Sequence, residues 1–128
     1  MTHDLPALLF VYNADTGLAA AAGDFAARFL APEKYSCNLC MVTYGPFAMK
    51  SPWKEFVETI PNETEFLHRD EFRKAYPAYA DEPLPAVFAR GRDGRFTSLV
   101  PARDINAVSD WQGLKEILLA ALEKHGAL

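Results

Sequence analysis

The sequence predicts an α/β domain built on a four-stranded mixed sheet with helices on both faces. Two observations carry that expectation. Short apolar runs bounded by turn residues alternate with segments whose apolar residues recur at helical spacing. A Gly-Arg-Asp-Gly turn then joins two apolar stretches near residues 85–100, which is hairpin chemistry. The chain has 128 residues, half of them hydrophobic and 23% charged. That is one domain's worth of core, residues 1–128, and too apolar for a disordered chain.

Residues 7–12, Ala-Leu-Leu-Phe-Val-Tyr, form a continuous apolar run between Pro6 and Asn-Ala-Asp-Thr-Gly. Such a run fits a central strand covered on both faces. Leu18, Ala22, Phe25 and Phe29 then share one face of a predicted helix that Pro32 ends. Val42, Thr43 and Tyr44 favour a pleated strand, and Gly45-Pro46 stops it, so residues 40–44 are expected to lie parallel to residues 7–12. Ser51-Pro52 looks like an N-cap with proline at the first helical position, and Trp53, Phe56, Val57 and Ile60 follow at helical spacing up to Pro61. Residues 65–68 suit a short strand and residues 70–75 one or two helical turns.

Residues 86–90 and 95–100 are the expected antiparallel hairpin. The last helix begins near Ser109, whose spacing to Gln112 is that of a capping box. Trp111, Leu114, Leu118 and Leu122 make its apolar stripe, and Gly126 suits its end. Trp53 and Trp111 both read as core.

Seventeen acidic against thirteen basic residues give a net charge of −4, which leaves no general electrostatic claim on nucleic acid or anionic lipid. Neither a nucleic-acid nor a membrane partner is expected. The start of the chain lacks a basic-then-apolar signal, and the apolar run at 8–12 is far too short to span a membrane. Cytoplasm is the default compartment, because a secreted, disulfide-stapled domain would carry more cysteines at wider spacing.

The order strand, helix, strand, helix, a short excursion, hairpin, helix resembles the thioredoxin fold. Leu84-Pro85-Ala86-Val87-Phe88 looks like the strand that thioredoxins enter through a cis-proline, and the resemblance implies that Leu84–Pro85 is cis. Tyr12-Asn13-Ala14-Asp15 and Tyr35-Ser36-Cys37-Asn38-Leu39-Cys40 resemble the Tyr-Asn-Ala-Asp and Tyr-x-Cys-Asn-Leu-Cys motifs of a small bacterial family, some members of which are called GTPases. The residues do not support nucleotide hydrolysis. A P-loop needs glycines at fixed spacing before Lys-Ser. Met49 precedes Lys50-Ser51, Gly45 is one position off register, and Pro46 lacks a needed N–H.

Cys37 and Cys40 are the sharpest chemical feature. At this spacing two thiols can close a small disulfide ring, with Cys37 as the exposed attacking thiol and Cys40 as its resolving partner. Thioredoxins hold such a pair at a helix start after a strand. Here the residues before Cys37 read as a helix exit and those after Cys40 as a strand. A parallel crossover would carry the pair to the sheet end opposite Asn13 and Pro85. A strand-start Cys37 would lack help from a helix dipole, so a sluggish pair, reduced in the cytosol, is expected. A metal site would need further ligands from a histidine or a second subunit. An inert, buried pair is the third reading.

Asn13, Asp15 and Thr16 follow the first strand, where ligands collect in open α/β sheets. With Pro85 they form the candidate ligand-binding group. Asp15 would repel a phosphate, and Asp15 or Thr16 could simply cap the following helix. His3, His68 and His125 are scattered, and His68 with Asp70 is the only close pairing. No cofactor is implied. Two functions remain open: a thiol-dependent redox enzyme or sensor, and a non-enzymatic binding domain with an unidentified protein or small-molecule partner. Exposure of Cys37 discriminates between them.

Overall fold

A computed structural model describes residues 5–16, 37–44 and 49–126. The predicted helix over residues 18–29, its stop at Pro32, the Gly45-Pro46 stop and His3 lie outside these. The sheet has four strands, β1 (Ala7–Val11), β2 (Thr64–Leu67), β3 (Ala86–Arg90) and β4 (Phe96–Val100), in the order β2-β1-β3-β4. β2 runs parallel to β1, with Phe10 opposite Phe66, whereas β3 and β4 are antiparallel to their inner neighbours. The sheet is therefore mixed, and its hairpin is the expected one.

All five residues of β1 are buried, which explains its unbroken apolar run. Alternation sends Leu8 and Phe10 to one face and Leu9 and Val11 to the other. On the first face, Leu8, Phe10, Val87 and Ala89 pack with residues of α1 (Asn38–Thr43), α2 (Ser51–Thr59) and the C-terminal helix. On the second, Leu9, Val11 and Phe88 meet Phe72 of α3 (Arg69–Ala75). Helices cover both faces, as expected. A register shift between Val87 and Phe88 lets Leu99 and Val100 both join the first cluster.

Residues 40–44 are not a strand. They lie in or beside helix α1, and the parallel neighbour of β1 is β2. Leu39, Cys40, Val42 and Thr43 are buried while Asn38 and Met41 are half-buried, a helical and not an alternating pattern. The Thr43 hydroxyl donates to the Leu39 carbonyl, and the Asn38 amide donates to the carbonyls of Ile105 and Val108. These contacts and the burial outweigh the strand preference of Val-Thr-Tyr, because propensity is a weak prior against packing. Tyr44 keeps only an isolated bridge to Met49.

The short helix α4 (Ala102–Asn106), which buries Ile105, was not expected from the sequence. The final helix, α5 (Trp111–Lys124), is capped by Asp110 and not by Ser109: the Asp110 carboxylate accepts from Gly113 N–H at 2.8 Å. Its stripe of Leu114, Leu118 and Leu122 is fully buried, while Trp111 is half-buried. Gly126 takes a φ of 63° just past the end, where a side chain would be strained. The Leu84–Pro85 bond is cis. No helix of the described residues is long and apolar enough to cross a membrane.

Phe72 holds the second face together. It is fully buried and stacks on Phe88 with ring centroids 5.4 Å apart, with Tyr76 and Phe96 beside it. Phe72→Ala should cost about 3–4 kcal/mol of unfolding free energy, since it removes an aromatic ring and leaves a cavity. Urea denaturation measures this directly. A loss below about 1 kcal/mol would mean that α3 does not pack as described.

Candidate functional site

β1 and β2 end, and β3 begins, at one edge of the molecule. Val11 is opposite Leu67 on one side and Ala86 on the other, so Asn13 and Pro85 leave the sheet at the same end. Cys37 is here too. Its Sγ accepts a hydrogen bond from the Asn13 backbone N–H at 3.3 Å. The crossover expected to carry the cysteines to the far end of the sheet does not do so. The parallel partner of β1 is β2, so the cysteine segment lies within the crossover and not at the base of a strand.

Cys37 is also the N-cap of α1, and its Sγ accepts the Cys40 N–H at 3.3 Å. The expectation that Cys37 sits at a strand start is overturned. Cys37 and Cys40 form a disulfide, with Cα atoms 5.4 Å apart. The attacking thiol was expected to be exposed, and it is not. Cys37 is 0% and Cys40 5% accessible. Cys37 packs in the main core cluster with Leu39, Tyr12 and Val42.

The loop after β1 is pinned to the junction between β2 and α3. Arg69 donates from Nε and Nη2 to the two carboxylate oxygens of Asp15, at 2.8 and 2.9 Å, and from Nη1 to Asn13 Oδ1 at 3.1 Å. Its backbone N–H donates to the Ala14 carbonyl at 2.9 Å. One residue on, the Asp70 carboxylate accepts both the backbone N–H and the hydroxyl of Thr16. Asp15 and Thr16 therefore engage α3 through their side chains, a role that the capping reading did not foresee.

Each contact leaves an electrostatic mark. The Arg69 hydrogen bonds hold the Asp15 carboxyl below its ordinary range, and the Asp70 carboxyl is lowered by the Thr16 hydroxyl and N–H. Glu71 is lowered by the His68 backbone N–H and ring, which it meets in a capping box at the start of α3. Burial pushes the Tyr12 phenol well up, helped by its contact with the Tyr44 hydroxyl. The Tyr12 and His68 rings lie 5.5 Å apart behind the loop.

The structure thus brings together Asn13, Asp15, Thr16 and Cys37, with Cys40 bonded to Cys37 and buried Pro85 at the same sheet end. Arg69 is the site residue that the sequence reading did not single out. Its neighbour Asp70 stands out in the sequence only beside His68, and nothing in the spacing of residues 13–16 and 69–70 announces that they meet. Among the described residues no group of three or more His, Cys, Asp or Glu side chains could hold a metal ion.

The Asp15 carboxyl is lower in the folded chain than in the unfolded one, so its contribution to stability is present above the ordinary carboxylate range. It is lost as pH falls through the folded-state value. The pair is partly exposed, with Asp15 44% accessible, so the effect is small. Asp15→Asn should lower stability at pH 7 by about 0.5–1 kcal/mol and flatten part of the fall in stability below about pH 4. Urea midpoints of both proteins between neutral and acid pH measure this, and parallel curves would contradict it.

No protein-family model matches the chain, and neither the curated proteins nor the solved structures contain a match to it.

Proposed function

We propose that the chain is a thioredoxin-like domain whose Cys37–Cys40 pair works as a reversible dithiol–disulfide switch. One observation carries the reading: the Cys37 sulfur accepts two backbone N–H groups, from Asn13 and Cys40, at the sheet end where Pro85 enters β3. N–H donors favour a thiolate over a thiol, which is what a reducible pair needs. The sheet order, the parallel β1–β2 pair and the C-terminal hairpin and helix support the thioredoxin-like architecture.

The burial of Cys37, and the near-complete burial of Cys40, support one of two forms of the redox reading. A folded protein disulfide cannot reach Cys37, which has no accessible surface, and would find little of Cys40, so we assign the pair to sensing and not to turnover of protein substrates. Small thiols and disulfides of the cytoplasm are the fitting reactants, admitted by local opening. The step is a two-electron exchange. A small thiolate attacks one sulfur of the disulfide and frees the other as a thiolate, giving a mixed disulfide. A second small thiolate attacks the small molecule's sulfur and releases the remaining cysteine. The protein gains two electrons and two protons, and the small thiols leave as their own disulfide.

The second reading is a non-enzymatic interaction domain in which the disulfide is structural. The complete burial of Cys37 favours it. Equilibration with reduced and oxidised glutathione, an acid quench and alkylation for mass analysis separate the two. The redox reading expects a single reversible transition, lost in Cys37→Ser, with alkylation of the reduced native protein slowed at least about 100-fold relative to the unfolded chain by the need to open. A pair that is reduced only when the protein unfolds would leave the interaction domain standing.

A further inference from the structure

We propose that Arg69 is a positioning residue for the Cys37 sulfur: it fixes the Asn13 backbone N–H on Sγ and thereby sets how readily the pair is reduced. The inference rests on the redox reading above and deepens it. The chain of contacts is short. Arg69 Nη1 donates to Asn13 Oδ1 at 3.1 Å, and the Asn13 N–H donates to Cys37 Sγ at 3.3 Å. The same guanidinium grips Asp15 with both remaining prongs, and its backbone N–H holds Ala14 O at 2.9 Å. The backbone on the C-terminal side of Asn13 is therefore anchored at two consecutive residues. The Tyr12 N–H, bonded to Leu67 O at 2.9 Å, anchors the N-terminal side.

Such a fork is more than a tether. A planar guanidinium engages two oxygens of one carboxylate and a third acceptor in a fixed relation, which an exposed point charge would not do. What it fixes is the direction of one N–H. That N–H matters unequally to the two redox states: a hydrogen bond to a thiolate is charge-assisted, whereas one to a disulfide sulfur is weak. Holding the donor in place stabilises the reduced form more than the oxidised form. Releasing it shifts the equilibrium toward the disulfide.

The test measures the equilibrium constant with glutathione at pH 8, where the thiolate contributes, for the full chain and three variants. Arg69→Met should shift the constant toward the disulfide by about 3–10-fold, part of the worth of a charged hydrogen bond. Asp15→Asn loosens the same fork from its exposed side and should shift it the same way by about 2–4-fold; it also covers the case in which Arg69→Met does not fold. Arg73→Met removes another arginine of α3, one that donates to Ala80 O at 3.0 Å and acts on Asp15 only as a charge, the weakest of the influences on that carboxyl, and should leave the constant within about twofold. Unchanged constants in both fork variants overturn the proposal, as does a shift in Arg73→Met equal to that in Arg69→Met, which would mean general loosening of α3. A wild-type pair that never equilibrates with glutathione removes the redox reading and this inference with it. A wild-type pair that equilibrates normally beside unchanged fork variants removes this inference alone.

Discussion

β1 has to serve two cores at once. Its side chains alternate between faces, so Leu8 and Phe10 enter one cluster and Leu9 and Val11 the other, and its backbone is bonded to β2 on one side and β3 on the other. A strand in that position admits no polar residue within it. The chain turns polar only beyond Tyr12, at Asn13, where the sheet ends. The site lies at that boundary because polar groups and backbone donors first become available there. The aromatic packing agrees: Phe10 stacks on Phe66 and meets the edge of Trp53, tying α2 and β2 to the same strand.

How far a sequence can be read depends on where its constraints are local. β1, the Gly91–Gly94 turn, the stripe of α5 and, to within one residue, the start of α2 (capped at Lys50 and not at Ser51) all follow from residues next to one another in the chain, and they were legible. The strand assigned to residues 40–44 failed for a physical reason. Val-Thr-Tyr carries strand propensity, but Leu39, Cys40, Val42 and Thr43 also sit at helical spacing, and the anchors that choose between the two are distant. The Asn38 amide finds its acceptors at Ile105 and Val108, more than sixty residues away. No local rule weighs those carbonyls.

The same error propagated to the site. A strand at residues 40–44 parallel to β1 would require Cys37 to lie at the far end of the sheet. With β2 at residues 64–67, the crossover has room to bring the cysteine segment back beside Asn13. The individual residues at risk, Asn13, Asp15, Thr16, Cys37, Cys40 and Pro85, were all identifiable. What was not identifiable was their company: Arg69 and Asp70 reach the loop across a sequence separation of 54 residues or more.

Two features of Cys37 pull in opposite directions, and their balance shapes the chemistry. Burial among apolar side chains penalises a thiolate, while two N–H donors on the sulfur favour it. Burial acts equally on anything that approaches, and so makes exchange depend on opening. The donors act more strongly on the reduced state than on the oxidised one, and one of them belongs to a loop gripped from outside the core by partly exposed side chains. In the switch proposed above, the equilibrium of the pair would therefore be tuned at the surface while its rate would be limited by the core. The proposed sensor would need that separation: a buried pair would ignore most thiols it met, yet its poise would stay open to adjustment through Asp15 and Arg69 without any change in the packing around the sulfur.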